Sequence, residues 1–189
     1  MDGQYLARAL PVVLAGNQVE RLASLFDAHH GRLYRLARRL APTGDDALDL
    51  VQETFLKAAR FAKSIPAGAA NEEAWLVRVL VNIRRDQWRK TSVRDLHDQA
   101  AFAVSHAASG VGDPEMQLIA KTAVWQALNI LPPRRRAIVV MVELEGLAMP
   151  AIAALLDISI ITVRWHLSMG RRDLTKALRA HMGETNENY

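Results

Sequence analysis

The stretch ISIITVRWHLSMGRRDL (158–174) mixes groups that bind anions with groups that favour flat apolar edges. At helical spacing Val163, Leu167 and Leu174 turn inward, so Arg164, Trp165, Ser168, Met169, Arg171 and Arg172 mostly point elsewhere. An arginine fork matches O6 and N7 of guanine in the major groove. Serine and further arginines suit phosphate oxygens, which set position without reading sequence. Trp165 and Met169 could press on thymine methyls or sugar edges, whereas apolar residues at helical spacing are usually core; for Trp165 the two roles fit equally.

A second basic stretch, AWLVRVLVNIRRDQWRK (74–90), sets Arg78 and Asn82 one turn apart, and Arg85 and Arg89 continue that side. Asparagine both donates to and accepts from a base edge. A basic helix beside a loop suits a single-strand platform that holds an unstacked base. A solvated basic face explains the same residues in isolation. A third constellation is acidic: Asp49, Gln52 and Glu53 fall at i, i+3 and i+4 on one exposed face. Paired carboxylates can bind metal or move protons, but no HxxxH spacing, glycine-rich phosphate loop or nucleophile with a paired base accompanies them. The adjacent His29 and His30 point to different helix faces. The expectation is a solvated or protein-docking face, with no metal, no cofactor and no enzymatic activity.

The elements that must position these groups read as helices throughout. Leu22, Leu25, Phe26, Leu33, Leu36, Ala37 and Leu40 recur at three- and four-residue steps, and Pro42 and Gly44 break the pattern. Asp45 or Asp46 is expected to cap the next helix, with Leu48, Val51, Phe55 and Ala58 as its buried stripe. SIPAGAAN (64–71) reads as a loop, and a third helix is expected over 72–90 with Leu76, Val79, Leu80 and Ile83 inward. Residues 91–113 lack sustained periodicity and mark a flexible linker between two domains. Helices then follow over 116–130, 134–145 (opened by Pro133 and stopped by Gly146), 150–156 and 159–181. The last two, joined at Asp157–Ile158–Ser159, have helix-turn-helix spacing, and Ser159 is placed to cap the second. In such units the second helix enters the major groove.

Composition agrees with a chain of this kind. The 189 residues are 50% hydrophobic and 23% charged, which is ordinary for globular domains. No cysteine is present, so disulfides and thiolate metal sites are excluded, in keeping with a cytoplasmic location. No apolar run is long enough to span a bilayer, and the N-terminal MDGQYLARALPVVLAGN is not read as a signal peptide. The net charge of +4 is unevenly spread. Asp45, Asp46, Asp49 and Glu53 are uninterrupted by a base, whereas the stretches 75–94 and 160–181 carry one acid each, Asp86 and Asp173. Two basic helices and one acidic helix imply two anionic partner surfaces and one different partner.

The order of these motifs resembles the extracytoplasmic-function sigma factors, over about 19–90 and 114–178. DDALDLVQETFLKAARF and AWLVRVLVNIRRDQWRK are similar to the family's region 2; LPPRRRAIVVMVELEGL and IAALLDISIITVRWHLSMGRRDLTKAL are similar to its region 4. The resemblance implies an all-α fold of two small helical domains, region 2 over 19–90 and region 4 over 114–181, joined by the linker 91–113. It implies docking on core RNA polymerase through Asp49, Gln52 and Glu53. It implies minus-10 recognition through Arg78, Asn82, Arg85 and Arg89, with a flipped base held by loop 64–71, and minus-35 recognition through Arg164, Trp165, Ser168, Met169, Arg171 and Arg172. Trp75 matches a mainly structural tryptophan. Promoter DNA and polymerase are the implied partners, and an anti-sigma factor is the family's usual regulator. Trp165 and Met169 stand where the family more often has small polar or basic residues, Ala148 where Ser or Thr commonly caps, and Asp157 where the turn usually has Gly. Two rival readings remain: a duplex-binding regulator that works without polymerase, and a protein that only titrates a partner.

Overall fold

The computed structural model describes residues 16–97 and 115–186. The N-terminal half contains α1 (Gly16–Leu40), α2 (Gly44–Arg60), a 3-10 turn at Ala62–Ser64 and α3 (Ala69–His97). The C-terminal half contains α4 (Glu115–Ile130), α5 (Pro133–Glu143), α6 (Met149–Leu156) and α7 (Ile160–Asn186). The described residues form helices, turns and bends, without a strand.

Leu33, Leu36, Leu40, Leu50, Val51, Leu76, Val77, Leu80 and Ile83 build the core between α1, α2 and α3. Leu48 and Phe26 depart from the expected stripe. Both are exposed, because the α1–α2 surface opens into a groove outside that core. The cap of α2 also differs from expectation. Thr43, not Asp45 or Asp46, is the N-cap: its hydroxyl accepts from the Asp46 amide at 3.1 Å, and the Asp46 carboxylate accepts from the Thr43 amide at 3.2 Å. This reciprocal box satisfies two groups that a helix start would leave unpaired.

α3 begins three residues earlier than expected and runs seven residues beyond position 90, to His97. The first part of the expected linker is therefore helical, and the expected loop 64–71 contracts to a short link between the 3-10 turn and α3. The remainder of the linker, 98–113, lies outside the described residues, as do the N-terminal stretch and the last three residues.

In the C-terminal half, Ile138, Val140, Met141, Ile152, Leu156 and Val163 are almost fully buried. Pro133 stands in the first turn of α5, and Gly146, with φ of 66°, turns the chain after it. The N-cap of α6, Ala148, supplies no side-chain cap, and its C-cap, Asp157, is left-handed at φ 55° and ψ 53°. Aspartate tolerates that region better than most residues, so the turn persists without glycine. The Ser159 hydroxyl accepts from the Thr162 amide at 3.1 Å and so caps α7. α6 and α7 cross at 108°, as two helices of a helix-turn-helix do. At Gly170 α7 passes so near α5 that an added Cβ would sit 2.5 Å from Val139 Cγ2.

The two halves pack on one another, chiefly α3 against α5 and α6. Arg136 of α5 is buried at this seam; its Nε donates to the Arg39 carbonyl at 2.6 Å, and its Nη1 donates to Asn129. From the other side Arg84 Nε donates to the Leu40 carbonyl at 3.1 Å. Carbonyls at the end of α1 thus gain two cationic donors, a favourable place for positive charge. Glu145 accepts from Arg39 at 3.1 Å and lies 3.8 Å from Arg32. Burial, followed by the nearby Arg84 charge, lowers the Arg136 guanidinium to about 10, so it remains protonated at neutral pH.

Candidate nucleic-acid interface

On α7 the expected face is present. Val163 and Leu167 are buried in the helix-turn-helix core, while Arg164, Ser168 and Arg172, each four residues apart, form an exposed row. Trp165 is exposed, at 54% of its surface, which removes it from the core role. Its ring lies under the Arg135 guanidinium, 5.5 Å from the ring centroid, and meets His166 edge-on at 4.8 Å. Met169 is half-buried beside this row. Arg171 is partly engaged: its Nε donates to Glu143 of α5 at 2.8 Å. His166 is held below the ordinary histidine range, first by burial and then by the Arg135 and Arg134 charges.

The α3 arginines have a different setting. Arg78 Nη1 donates to Asp157 at 3.0 Å, tying α3 to the helix-turn-helix turn. Asn82 is half-buried, Arg85 pairs with the neighbouring Asp86 at 3.2 Å, and Arg89 is exposed. Arg134, at the start of α5, is lowered by burial and then by Arg85, which locates two cationic helix surfaces near each other. The four residues expected at the minus-10 site thus share one helix but are not equally available.

On α2 Asp49 and Gln52 are exposed, and Glu53 is half-buried, accepting from Gln87 Nε2 at 3.3 Å. Next to Gln52 lies the groove that sequence reasoning missed. It encloses about 440 Å³ and is lined mainly by apolar groups, including Leu22, Phe26, Leu48, Phe55 and Leu56. The missed signal was Leu48 and Leu56, two turns apart, which with Phe55 and Ala59 read as a second apolar edge of α2. Arg135 was also missed, since nothing in the run Arg134–Arg136 tells which arginine reaches α7. Among the described residues no group of three or more His, Cys, Asp or Glu could hold a metal ion. Among them, too, no single helix is long and apolar enough to cross a membrane.

Comparisons with known proteins agree with this geometry. The family model for sigma-70 region 2 matches residues 25–94, from within α1 to near the end of α3. That for sigma-70 region 4 matches residues 121–174, from within α4 into α7. SigM of Mycobacterium tuberculosis, an ECF RNA polymerase sigma factor, is 34% identical over 154 residues, covering 82% of this chain and 75% of that protein. The chain belongs to the extracytoplasmic-function sigma factors. The ECF RNA polymerase sigma factor SigE of Mycolicibacterium smegmatis is likewise 34% identical over 162 residues, covering 83% of this chain, which spans only 61% of that relative's length. Among solved structures, the sigma factor RpoE of Bartonella quintana, in complex with the anti-sigma factor NepR, superposes with a TM-score of 0.60. It is 26% identical and covers 87% of this chain and 98% of that one. The family consists of promoter-recognising transcription initiation factors; the exposed α7 row lies within the region-4 match and most of α3 within the region-2 match.

Proposed function

We propose that this chain docks on core RNA polymerase through α2 and directs it to promoters by presenting α3 to the minus-10 element and α7 to the minus-35 element. The observation that carries this reading is the row Arg164–Ser168–Arg172, exposed on the second helix of a 108° helix-turn-helix. An arginine on such a row reads guanine edges, and its neighbours hold phosphates. We assign minus-35 contact to Arg164, Trp165, Ser168, Met169, Arg171 and Arg172, minus-10 contact to Arg78, Asn82, Arg85 and Arg89, and polymerase contact to Asp49, Gln52 and Glu53. The α2 groove adds apolar area beside the last three, and apolar area with a charged rim is usual at protein interfaces.

The two halves are packed together here, so Arg78 must leave Asp157 before it can reach DNA. That exposed pair contributes only about 0–1 kcal/mol, and a nucleic-acid strand can displace it. The likeness to RpoE bound by NepR supports an anti-sigma factor as a further partner. The proposed role needs no catalytic group of its own, since polymerase performs the chemistry, and it places the chain in the cytoplasm with that enzyme. Reconstituted transcription with core polymerase on a random promoter library tests the reading. Start sites that require the added chain support it; transcription at no site at low ionic strength, without an inhibitor, refutes it.

A further inference from the structure

We infer that Arg135 is a positioning residue that clamps Trp165, and that the clamped ring reads the 5-methyl edge of a thymine in the upstream element. The inference rests on the proposed reading of α7 as the minus-35 reader and adds both a residue and a base identity to it.

Several contacts converge on this ring. Trp165 is more than half exposed on a face turned away from the buried Val163 and Leu167, so its exposure is not a gap in the core. One side of it is covered by the Arg135 guanidinium, 5.5 Å from the centroid. Arg135 itself is anchored: Nη1 donates to the Asp173 carboxylate two turns further along α7, and both side chains are largely shielded from solvent. The missing Cβ at Gly170 makes this reach short, since an added Cβ there would sit 3.2 Å from Arg135 Cγ. His166 meets the ring edge-on at 4.8 Å and restricts its swing. Arg135 is thus occupied by Asp173 and the indole, which makes it a poor candidate for a phosphate contact of its own.

The chemistry follows from what is left open. An indole offers a rigid apolar surface and loses little conformational freedom on binding. Its only polar group donates, and the major-groove group that rewards an apolar surface is the thymine methyl. Cytosine presents an amino group at the neighbouring position and no methyl. A held ring discriminates between these, whereas a mobile ring makes room for either. A cation over the ring and an acid behind the cation are the means by which the position is held.

The test uses the full chain assembled with core polymerase. A library of duplex promoters randomised upstream is selected for binding, and columns that change between wild type and Trp165→Ala are identified. We expect a thymine column that becomes indifferent in Trp165→Ala. Replacing that thymine by deoxyuridine, which removes only the methyl, lowers wild-type affinity about fourfold, the amount for one buried carbon. The replacement does not change binding by Trp165→Ala. Arg135→Gln loses most of the methyl preference while its unfolding midpoint and polymerase affinity are retained, and Arg135→Lys, which keeps a cation for the ring, recovers part of it. If Arg135→Gln is destabilised, Asp173→Asn, which releases Arg135 from the other end, gives the same loss of methyl preference. Equal affinity of the wild type for thymine and deoxyuridine overturns the inference, and so does an intact methyl preference in both Arg135→Gln and Asp173→Asn. In either case start-site selection by the wild type would show that the broader functional reading stands, whereas failure to select any promoter overturns both.

Discussion

The seam between the two halves and the outer face of α7 are both rich in arginine, yet the fold treats them differently. At the seam Arg136 donates to Arg39 and Asn129, Arg84 donates to Leu40, and Arg78 is paired with Asp157. On α7 Arg164 and Arg172 are exposed and have no hydrogen-bond or ion-pair partner among the described residues. Charge along a chain therefore does not measure charge available to a ligand. An arginine that completes a helix end contributes to folding, and one that meets only water can exchange that water for an anion.

Substitutions at the two places should separate these uses. The largest effect on stability is expected for Arg136→Ala, which leaves the Arg39 carbonyl and Asn129 without their donor. A loss of about 2–3 kcal/mol is expected in urea unfolding. An unchanged midpoint would show that the seam arginine is dispensable and break the contrast. Arg164→Ala should do the reverse, changing stability by less than about 0.5 kcal/mol. Loss of a base-edge fork should lower transcription from promoters that depend on the upstream element by about tenfold, with polymerase binding retained. Asp157→Asn sharpens the contrast from the seam side. Asparagine keeps the left-handed turn but gives up the bridge to Arg78, so a destabilisation below about 1 kcal/mol is expected. That difference should shrink as salt is raised from low to high.

The smallest effect concerns pH. His166 is held below its ordinary value in the folded chain by burial and by Arg135 and Arg134. As pH falls through about 6.5 the unfolded chain takes up this proton before the folded one does, so stability is level above that range and declines below it. Unfolding midpoints measured at falling pH should therefore drop less in His166→Asn than in the wild type. Equal slopes would show that neither burial nor those arginines holds the imidazole below its ordinary value.

Much of this was legible from residue order. The helix-turn-helix, the Ser159 cap and the outward Arg164–Ser168–Arg172 row follow from short-range spacing, and short-range spacing is what periodicity reports. The errors arise where distant segments decide. Spacing alone favours Asp45 or Asp46 over Thr43 as the cap, because the two acidic residues stand closer to the apolar stripe. Leu48 and Phe26 fit a buried stripe by period; Phe26 packs on Phe55 of α2 with ring centroids 4.9 Å apart, yet both side chains border the open groove and stay exposed. Apolar periodicity stops at Lys90, while the backbone continues as helix to His97. Which arginines are already engaged could not be foreseen, because Arg78, Arg84 and Arg136 find partners 79, 44 and 97 positions away in the chain.

Gly170 gives α7 a fulcrum. A bulkier residue at that crossing would wedge α7 off α5, and because α7 is long and stiff, a slight tilt there would sweep its N-terminal end sideways. On the proposed role of α7, Arg164 and Trp165 would then be offered to a different base pair although neither had been altered. On that role, promoter choice can drift through a buried position outside the proposed contact set.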